Sequence, residues 1–272
     1  MSYEKHYGLI EEPFAITPDS KYFYESEHHV AALIHVQHAI DSSKGLCVVI
    51  GDMGLGKTFI SRKILERLES EEGKYEVCLL IAIHSAVTVT WLLKSIARSL
   101  GIDFPGEDKA DLITQIFRQL IAIDEAGKKT VILVDEAHMM QSKEIFSELR
   151  GLLNIEARNR KLLNIVLFGL PELEENLSLD APLVSRIGLK YILKPLDERS
   201  TIGYIAHRLK VAGATKEIFT PEACQAVFQT SRGIPRLINT ISDNSLLEGF
   251  LEKKDVINPE VVLAVAETLK VK

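Results

Sequence analysis

The sequence predicts an α/β fold in which a central parallel sheet is followed by a small all-helical domain. From Gly45 onward, short apolar runs alternate with amphipathic segments of helical length, and the runs are Leu46–Ile50, Val77–Ile83, Thr130–Val134, Asn164–Phe168 and Leu189–Leu193. This alternation is typical of parallel strands that are covered by helices on both faces. After Pro195 the apolar runs stop, and the remaining chain shows helical patterns only.

Proline and capping residues mark helix starts in the second part of the chain. Thr220-Pro221 and Asn258-Pro259 each place a capping oxygen before a proline, which is typical of a first helical turn. We therefore predict three parts: an N-terminal preamble packed on the core at 1–44, an α/β core at 45–195 and a helical lid at 196–272.

The composition excludes several classes of protein. Of the 272 residues, 46% are hydrophobic and 26% are charged, which rules out a disordered tail, a collagen-like repeat and a disulfide-stapled mini-protein. The net charge of −6 gives no global attraction to nucleic acid. The three cysteines lie far apart among apolar neighbours, which indicates buried thiols rather than a metal site. We expect no membrane span and no secretory signal, and hence a cytoplasmic protein.

A glycine-rich loop follows the first apolar run. Gly51-Asp52-Met53-Gly54-Leu55-Gly56-Lys57-Thr58 fits the pattern G-x-x-x-x-G-K-[ST] and precedes a helical segment. Glycines let successive N–H groups converge on phosphate oxygens at the positive end of that helix. We expect Lys57 to neutralise the outer phosphates, Thr58 to help hold Mg²⁺, and Phe59 to adjoin the bound nucleotide.

Two carboxylates, Asp135 and Glu136, follow the apolar run Thr130–Val134. In phosphoryl transfer to water, one carboxylate here orders the Mg²⁺ shell and another orients or deprotonates the attacking water. Asp135 suits the first role and Glu136 the second. A solvated acidic turn is the alternative, and the glycine-rich loop favours the catalytic interpretation. Two roles are open for His138: a relay between the nucleotide and a partner subunit, or a cap of the turn.

Two arginines lie where a sensor of the outermost phosphate is expected. Arg236 begins a helix of the predicted lid, and Arg186 lies just before the last apolar run. An arginine stabilises the charge that develops on the transferred phosphoryl group. A surface or structural role is the alternative for each residue.

Several motifs are shared with a known family: Tyr7-Gly8-Leu9, Pro13-Phe14, Thr17-Pro18-Asp19, the glycine-rich loop, Asp135-Glu136-Ala137-His138, Gly169-Leu170-Pro171-Glu172-Leu173 and Gly233-Ile234-Pro235-Arg236-Leu237-Ile238-Asn239. Together they resemble the ExeA/GspA-type AAA+ ATPases of the general secretion pathway. A compact branch at exosortase and exopolysaccharide loci is similar in length, and TnsC-type transposition ATPases are more distant relatives.

The resemblance implies a P-loop NTPase (AAA+) core with a helical lid, hydrolysis of ATP with Mg²⁺, and a homo-oligomeric ring or filament with ATP between subunits. Carried over by position, it assigns Lys57 and Thr58 to Walker A, Asp135 and Glu136 to Walker B, Arg186 to the arginine finger and Arg236 to sensor 2. It implies that adenine lies against the preamble, near Ile16, Thr17 and Pro18.

The chain departs from the family at two points. Members commonly carry a polar glutamine after Gly169, where this chain has Leu170. An apolar side chain there does not align the attacking water, so we expect slow turnover. Larger members continue into a membrane span and a peptidoglycan-binding domain. We expect neither in this chain, and therefore no direct work on the cell wall.

The leading hypothesis is an oligomeric ATPase that drives or times a secretion or envelope-assembly process through a protein partner. One alternative is a DNA-binding regulator of transposition that forms ATP-dependent filaments, although a nucleic-acid partner is not favoured. Another is a nucleotide-gated scaffold with weak hydrolysis, which Leu170 suggests.

Overall fold

A computed structural model describes residues 2–15, 19–83, 87–157 and 160–270 of the chain. Strands and helices alternate up to residue 192, and helices follow from residue 198. In chain order the elements are α1 (Tyr3–Tyr7), α2 (Glu27–Asp41), β1 (Leu46–Ile50), α3 (Lys57–Ser70), β2 (Tyr75–Ile81), α4 (Val89–Ser99), α5 (Lys109–Glu125), β3 (Lys129–Asp135), α6 (Lys143–Leu152), β4 (Glu156–Ala157), β5 (Arg160–Lys161), β6 (Leu163–Gly169), α7 (Glu172–Leu177), α8 (Ala181–Val184), β7 (Ile187–Ile192), α9 (Glu198–Val211), α10 (Pro221–Ser231), α11 (Pro235–Leu251) and α12 (Pro259–Thr268).

The predicted central sheet is confirmed. Its five strands run in the order β2-β3-β6-β1-β7, and every neighbouring pair is parallel. Each of the five apolar runs overlaps one of these strands, and the run Leu46–Ile50 coincides with β1. All five residues of β1 are buried, because β1 pairs with β6 on one side and β7 on the other while helices cover both faces of the sheet. The short strands β4 and β5 form a separate antiparallel pair.

The chain divides into two compact units. The sheet unit comprises Ala31–Met53 and Ile60–Leu193, and the helical unit comprises Met1–Val30, Gly54–Phe59 and Lys194–Lys272. The division after Leu193 lies close to the predicted boundary near residue 195. The predicted preamble is divided between the two units: residues 1–30 group with the C-terminal helices, and the change of unit falls within α2.

The sheet unit has a continuous apolar core on one face of its sheet. Side chains of β1, β3 and β6 contact α4, α5 and α6 there, and the core includes Leu46, Leu92, Ile116, Ile132, Phe146 and Ile165. Burial of these apolar side chains supplies most of the favourable free energy of folding for the unit. The strands are consequently held firmly, and their carboxyl ends are fixed relative to one another.

The helical unit draws its N-terminal residues into its own core, which explains why residues 1–30 group with the C-terminal helices. Tyr7, Leu9 and Phe14 pack with apolar residues of α9, α10, α11 and α12. The buried Arg208 guanidinium donates hydrogen bonds to the backbone oxygens of Pro13 at 2.6 Å and Ala15 at 3.0 Å. These bonds replace the hydration that the charge loses on burial.

Hydrogen bonds from side chains begin α10 and α12, as the capping patterns predict. Thr220 Oγ1 accepts from the N–H of Ala223 at 3.1 Å, and Asn258 Oδ1 accepts from the N–H of Val261 at 3.3 Å. Across the described ranges, none of the helices combines the length and the apolar character that a membrane crossing requires.

Candidate functional site

The glycine-rich loop joins β1 to α3, so strand, loop and helix follow in the order that the motif requires. The N–H of Gly51 donates to the carbonyl oxygen of Gly169 at 3.2 Å, which fixes the start of the loop to the end of β6. Gly54 and Gly56 have φ values of +84° and +95°, which side-chain-bearing residues rarely adopt. The pattern of glycines is thus a requirement of the loop backbone.

Both glycines also allow close packing within the helical unit. A Cβ on Gly54 would lie 2.8 Å from Cβ of Arg236, and a Cβ on Gly56 would lie 3.1 Å from Nε2 of His29. The N–H of Arg236 donates to the carbonyl oxygen of Gly54 at 3.2 Å. The structure therefore brings the predicted sensor Arg236, in the first turn of α11, against the loop.

The remaining loop residues differ in exposure. Leu55 is buried, and Lys57 is buried at the first position of α3, with Thr58 and Phe59 half-buried behind it. Asp52 and Met53 are exposed. The N-terminal N–H groups of a long helix such as α3 form a site that favours anions. The donors here, glycine-rich backbone and a lysine ammonium, fit a polyphosphate.

The acidic pair lies at the end of β3. Asp135 is the last residue of the strand and is buried, and its Oδ1 accepts from the N–H of Glu136 at 3.0 Å. Glu136 has φ +54° and ψ +35°, a conformation that non-glycine residues seldom adopt and that occurs at functional turns. His138 Nδ1 lies 3.5 Å from Glu136 Oε2, and Asn176 Nδ2 donates to the His138 carbonyl oxygen at 2.9 Å.

Within the sheet unit, the loop start and the acidic pair lie at the same edge of the sheet. The strand order β3-β6-β1 puts the carboxyl ends of these parallel strands side by side, and Asp135, Gly169 and Gly51 stand at those ends. Two strand spacings separate β3 from β1, which is about 10 Å. Ligands of open α/β sheets bind at this carboxyl edge.

Leu170 follows Gly169 at the same edge, between the two strands of the site. Its side chain is half-buried, and its carbonyl oxygen accepts from the N–H of Leu173 at 2.9 Å, in the turn that leads into α7. The position therefore offers no polar side chain to a ligand.

Arg186 lies at the opposite edge of the sheet. It precedes β7, which runs parallel to β1, so it stands at the amino end of the strand while Gly51 stands at the carboxyl end of β1. Six residues of β7 separate these edges, or about 20 Å at 3.3 Å per residue. Its guanidinium donates to Asn154 Oδ1. Arg186 is thus not brought together with Asp135 and Glu136 of the same chain. The predicted adenine contacts Ile16, Thr17 and Pro18 lie outside the described residues.

Comparison with known proteins decides the family. A family model described as an AAA domain matches residues 40–177, a segment that contains the glycine-rich loop and the acidic pair. The chain belongs to the AAA domain family. General secretion pathway protein A of Aeromonas hydrophila is 36% identical to this AAA domain protein over 270 residues, which are 97% of the chain and 48% of that relative. The resemblance that the motifs indicate is confirmed, and the chain spans about half the length of this relative.

Solved structures share the fold of this AAA domain protein. The ORC2 protein of Aeropyrum pernix, in ADPNP and ADP complexes, has a TM-score of 0.71 and 15% identity, over 94% of this chain and 71% of that one. Cdc6p of Pyrobaculum aerophilum has a TM-score of 0.73 and 19% identity, over 93% of this chain and 71% of that one. The RuvB Holliday junction branch migration motor of Thermotoga maritima has a TM-score of 0.61 and 18% identity, over 95% of this chain and 74% of that one.

One residue of the loop surroundings was not predicted from the sequence. His29, near the start of α2, is buried and its Nε2 lies 2.9 Å from the carbonyl oxygen of Leu55. Burial lowers the pKa of His29 below its ordinary value, and the bond to Leu55 opposes that shift in part. Sequence gave no signal for this contact, because His29 precedes the loop by more than twenty positions and only folding brings the two together.

Proposed function

We propose that this protein binds ATP with Mg²⁺ and hydrolyses it slowly in a homo-oligomeric assembly. The observation that carries the proposal is the glycine-rich loop between the buried strand β1 and α3, which starts at the sheet edge where the acidic pair ends β3. Family membership supports it, and so does the fold shared with an ORC2 protein that was solved with ADPNP and ADP.

The proposed roles follow from the chemistry of each side chain. Backbone N–H groups of residues 51–58 would bind the phosphates, and the buried Lys57 ammonium would neutralise their charge. Thr58 and Asp135 would hold Mg²⁺, which withdraws charge from the phosphate oxygens when bound. Glu136 would orient and deprotonate the attacking water. Arg236 would contact the outermost phosphate, and Ile16, Thr17 and Pro18 would contact adenine.

Arg186 is proposed to act on the nucleotide of a neighbouring subunit. Its position at the amino end of β7 is remote from the acidic pair of its own sheet, which supports a role in a second copy. A side chain supplied in trans makes hydrolysis depend on assembly. The proposal therefore includes a ring or filament of identical subunits.

The cellular role is proposed from the relative. The name of General secretion pathway protein A supports a part in secretion. A part in envelope assembly, a protein partner and a cytoplasmic location are proposed together with it. The half-buried, apolar Leu170 supports slow turnover, and with it a second candidate function, a nucleotide-gated scaffold whose assembly matters more than its hydrolysis.

Calorimetric titration of the purified protein with ATP and Mg²⁺ tests the proposal. We expect wild-type protein to bind and Lys57→Ala to weaken binding by about a hundredfold or more, because a buried charge-assisted contact to phosphate is lost. Lys63→Ala is the matched control, since Lys63 lies on the same helix and pairs with Glu66 at the surface. A wild-type protein that takes up no adenine nucleotide, although folded, would refute the proposal.

A further inference from the structure

The imidazole of His29 connects the start of α2 to the glycine-rich loop. Ser26 Oγ lies 2.5 Å from Nδ1 of His29, and Nε2 of His29 lies 2.9 Å from the carbonyl oxygen of Leu55. Ser26 and His29 are 3% and 6% exposed, so both bonds are shielded from water. The ring of Phe23 packs edge-on against His29 with centroids 6.1 Å apart, which restricts the imidazole further. All four residues belong to the helical unit.

The partners fix which nitrogen carries the proton. A backbone carbonyl oxygen accepts only, so Nε2 of His29 carries hydrogen and donates to Leu55. In the neutral ring Nδ1 is then an acceptor, and the Ser26 hydroxyl donates to it. Ser26 thus orients the imidazole, and the imidazole orients the Leu55 carbonyl.

The direction of this carbonyl determines the direction of a neighbouring N–H. Leu55 C=O and Gly56 N–H belong to one planar peptide, which is trans like every peptide bond in the described chain. In a trans peptide the C=O and N–H bonds point to opposite sides. A carbonyl held by His29 on one side therefore directs the N–H of Gly56 to the other side.

The adjoining peptide is held in the same way by a different group. The carbonyl oxygen of Gly54 accepts from the N–H of Arg236, which directs the N–H of Leu55 away from α11. Glycine suits this position, because a Cβ on Gly56 would press on Nε2 of His29 at 3.1 Å and the backbone there has φ +95°. Two successive loop carbonyls are thus bound from outside the loop, and successive N–H groups set in this manner form an anion-binding concavity.

We propose that Ser26 and His29 act as a positioning pair that aims the N–H of Gly56 at the phosphate chain of a nucleoside diphosphate or triphosphate. This inference rests on the proposed function and deepens it. His29 does not touch the ligand. It orients the peptide between Leu55 and Gly56, whose N–H contacts the ligand. Rotation of that peptide would replace a donor by a carbonyl oxygen, which repels phosphate.

The test compares His29→Leu, which keeps an apolar side chain but removes both hydrogen bonds, with His29→Gln, whose amide offers a donor and an acceptor. The Kd values of ADP and AMP are measured by competition for each protein, together with the melting temperature. We expect His29→Leu to raise the Kd of ADP by about tenfold or more, the loss typical of one hydrogen bond to a charged group. The Kd of AMP should change little, and His29→Gln should restore most of the ADP affinity.

Controls separate this role from a general effect on folding. His38→Leu removes an exposed imidazole from the same helix and should leave both affinities unchanged. Ser26→Ala removes only the hydroxyl that orients the ring, and it should lower the affinity for ADP by a smaller factor than His29→Leu. It replaces His29→Leu in the test if that variant does not fold.

Equal losses of ADP and AMP affinity would overturn the inference, and so would unchanged ADP affinity in a folded His29→Leu or Ser26→Ala protein. Either result leaves the proposed function intact, provided that the wild-type protein binds ATP. A wild-type protein without nucleotide affinity refutes the proposed function and this inference together.

Discussion

The two edges of the central sheet carry different parts of the chemistry. At the carboxyl edge, the loop start at Gly51, the acidic pair after β3 and Leu170 stand at the ends of neighbouring strands. At the amino edge, Arg186 precedes β7 and donates to Asn154. Residues from both edges are expected to act on one nucleotide, yet the strands hold the edges about 20 Å apart.

If Arg186 acts on the nucleotide as proposed, one subunit does not complete the site. β7 is paired with β1 from Ile187 to Ile192, so no local rearrangement moves Arg186 to the carboxyl edge of its own sheet. In the proposed assembly, the amino edge of a second copy would supply Arg186 to the first copy's carboxyl edge. Predictions that separate the two edges are therefore the most informative.

The largest effect is expected from Arg186→Ala. Loss of a charge-stabilising arginine should lower the ATPase rate by on the order of a thousandfold while nucleotide binding stays close to wild type. Mixing Arg186→Ala with Glu136→Gln should restore part of the activity, because an intact Glu136 in one subunit would meet an intact Arg186 in the next. The steady-state ATPase rate of each protein and of the mixture checks this.

Arg199→Ala is the control for removal of an arginine charge, since Arg199 is exposed on α9. Two inactive variants that stay inactive after mixing, although they co-assemble by size analysis, would argue against a site shared between subunits. Full activity of Arg186→Ala alone would contradict any role at the amino edge.

A smaller effect is expected at the carboxyl edge from Leu170→Gln. A polar side chain at this half-buried position is expected to align the attacking water and to raise the turnover number by about tenfold. Leu170→Met, which keeps the position apolar, should turn over like the wild type. Multiple-turnover phosphate release measures both. Rapid wild-type hydrolysis that Leu170→Gln leaves unchanged would contradict the expectation of slow turnover.

The smallest effect concerns His29, which contacts the glycine-rich loop, and it is a pH dependence of the stability of the protein. Burial lowers the pKa of His29, and the charge of His28 lowers it further, so the folded protein keeps a neutral ring. As the pH falls below the ordinary value of 6.5, the unfolded chain binds a proton that the folded chain does not. The contribution of His29 to the free energy of unfolding should therefore decrease as the pH falls.

His29→Gln removes the titration and serves as the reference. Urea unfolding of both proteins between pH 7.5 and pH 5 measures the effect, and subtraction cancels every other titrating group. The wild-type protein should lose stability relative to His29→Gln as the pH falls. A difference that stays constant over this range would show that the His29 ring is not held neutral.

Much of the sheet was predictable because its signals are local. The run Leu46–Ile50 predicts β1 residue for residue, and the motif that follows requires glycine at positions with positive φ. Capping at Thr220 and Asn258 is likewise decided within four residues. These features depend on backbone sterics and on hydrogen bonds between near neighbours, which sequence spacing records.

Contacts between distant segments were less predictable. The residues of the predicted preamble at 1–44 fall in two units, because Tyr7, Leu9 and Phe14 pack in the helical unit and Arg208 binds the backbone beside them. A buried arginine with backbone acceptors has no signature in sequence, since carbonyl groups are present at every position.

By itself the sequence determined the fold class, the strand–loop–helix order of the phosphate loop and the chemical types of residues at positions 57, 58, 135 and 136. Only the tertiary structure decided that Arg186 lies at the edge opposite Asp135, and that His29 supports the Leu55 carbonyl. The reason is physical: local spacing sets helices, strands and turns, whereas strand order and buried contacts depend on long-range packing, which many different residue pairs can satisfy.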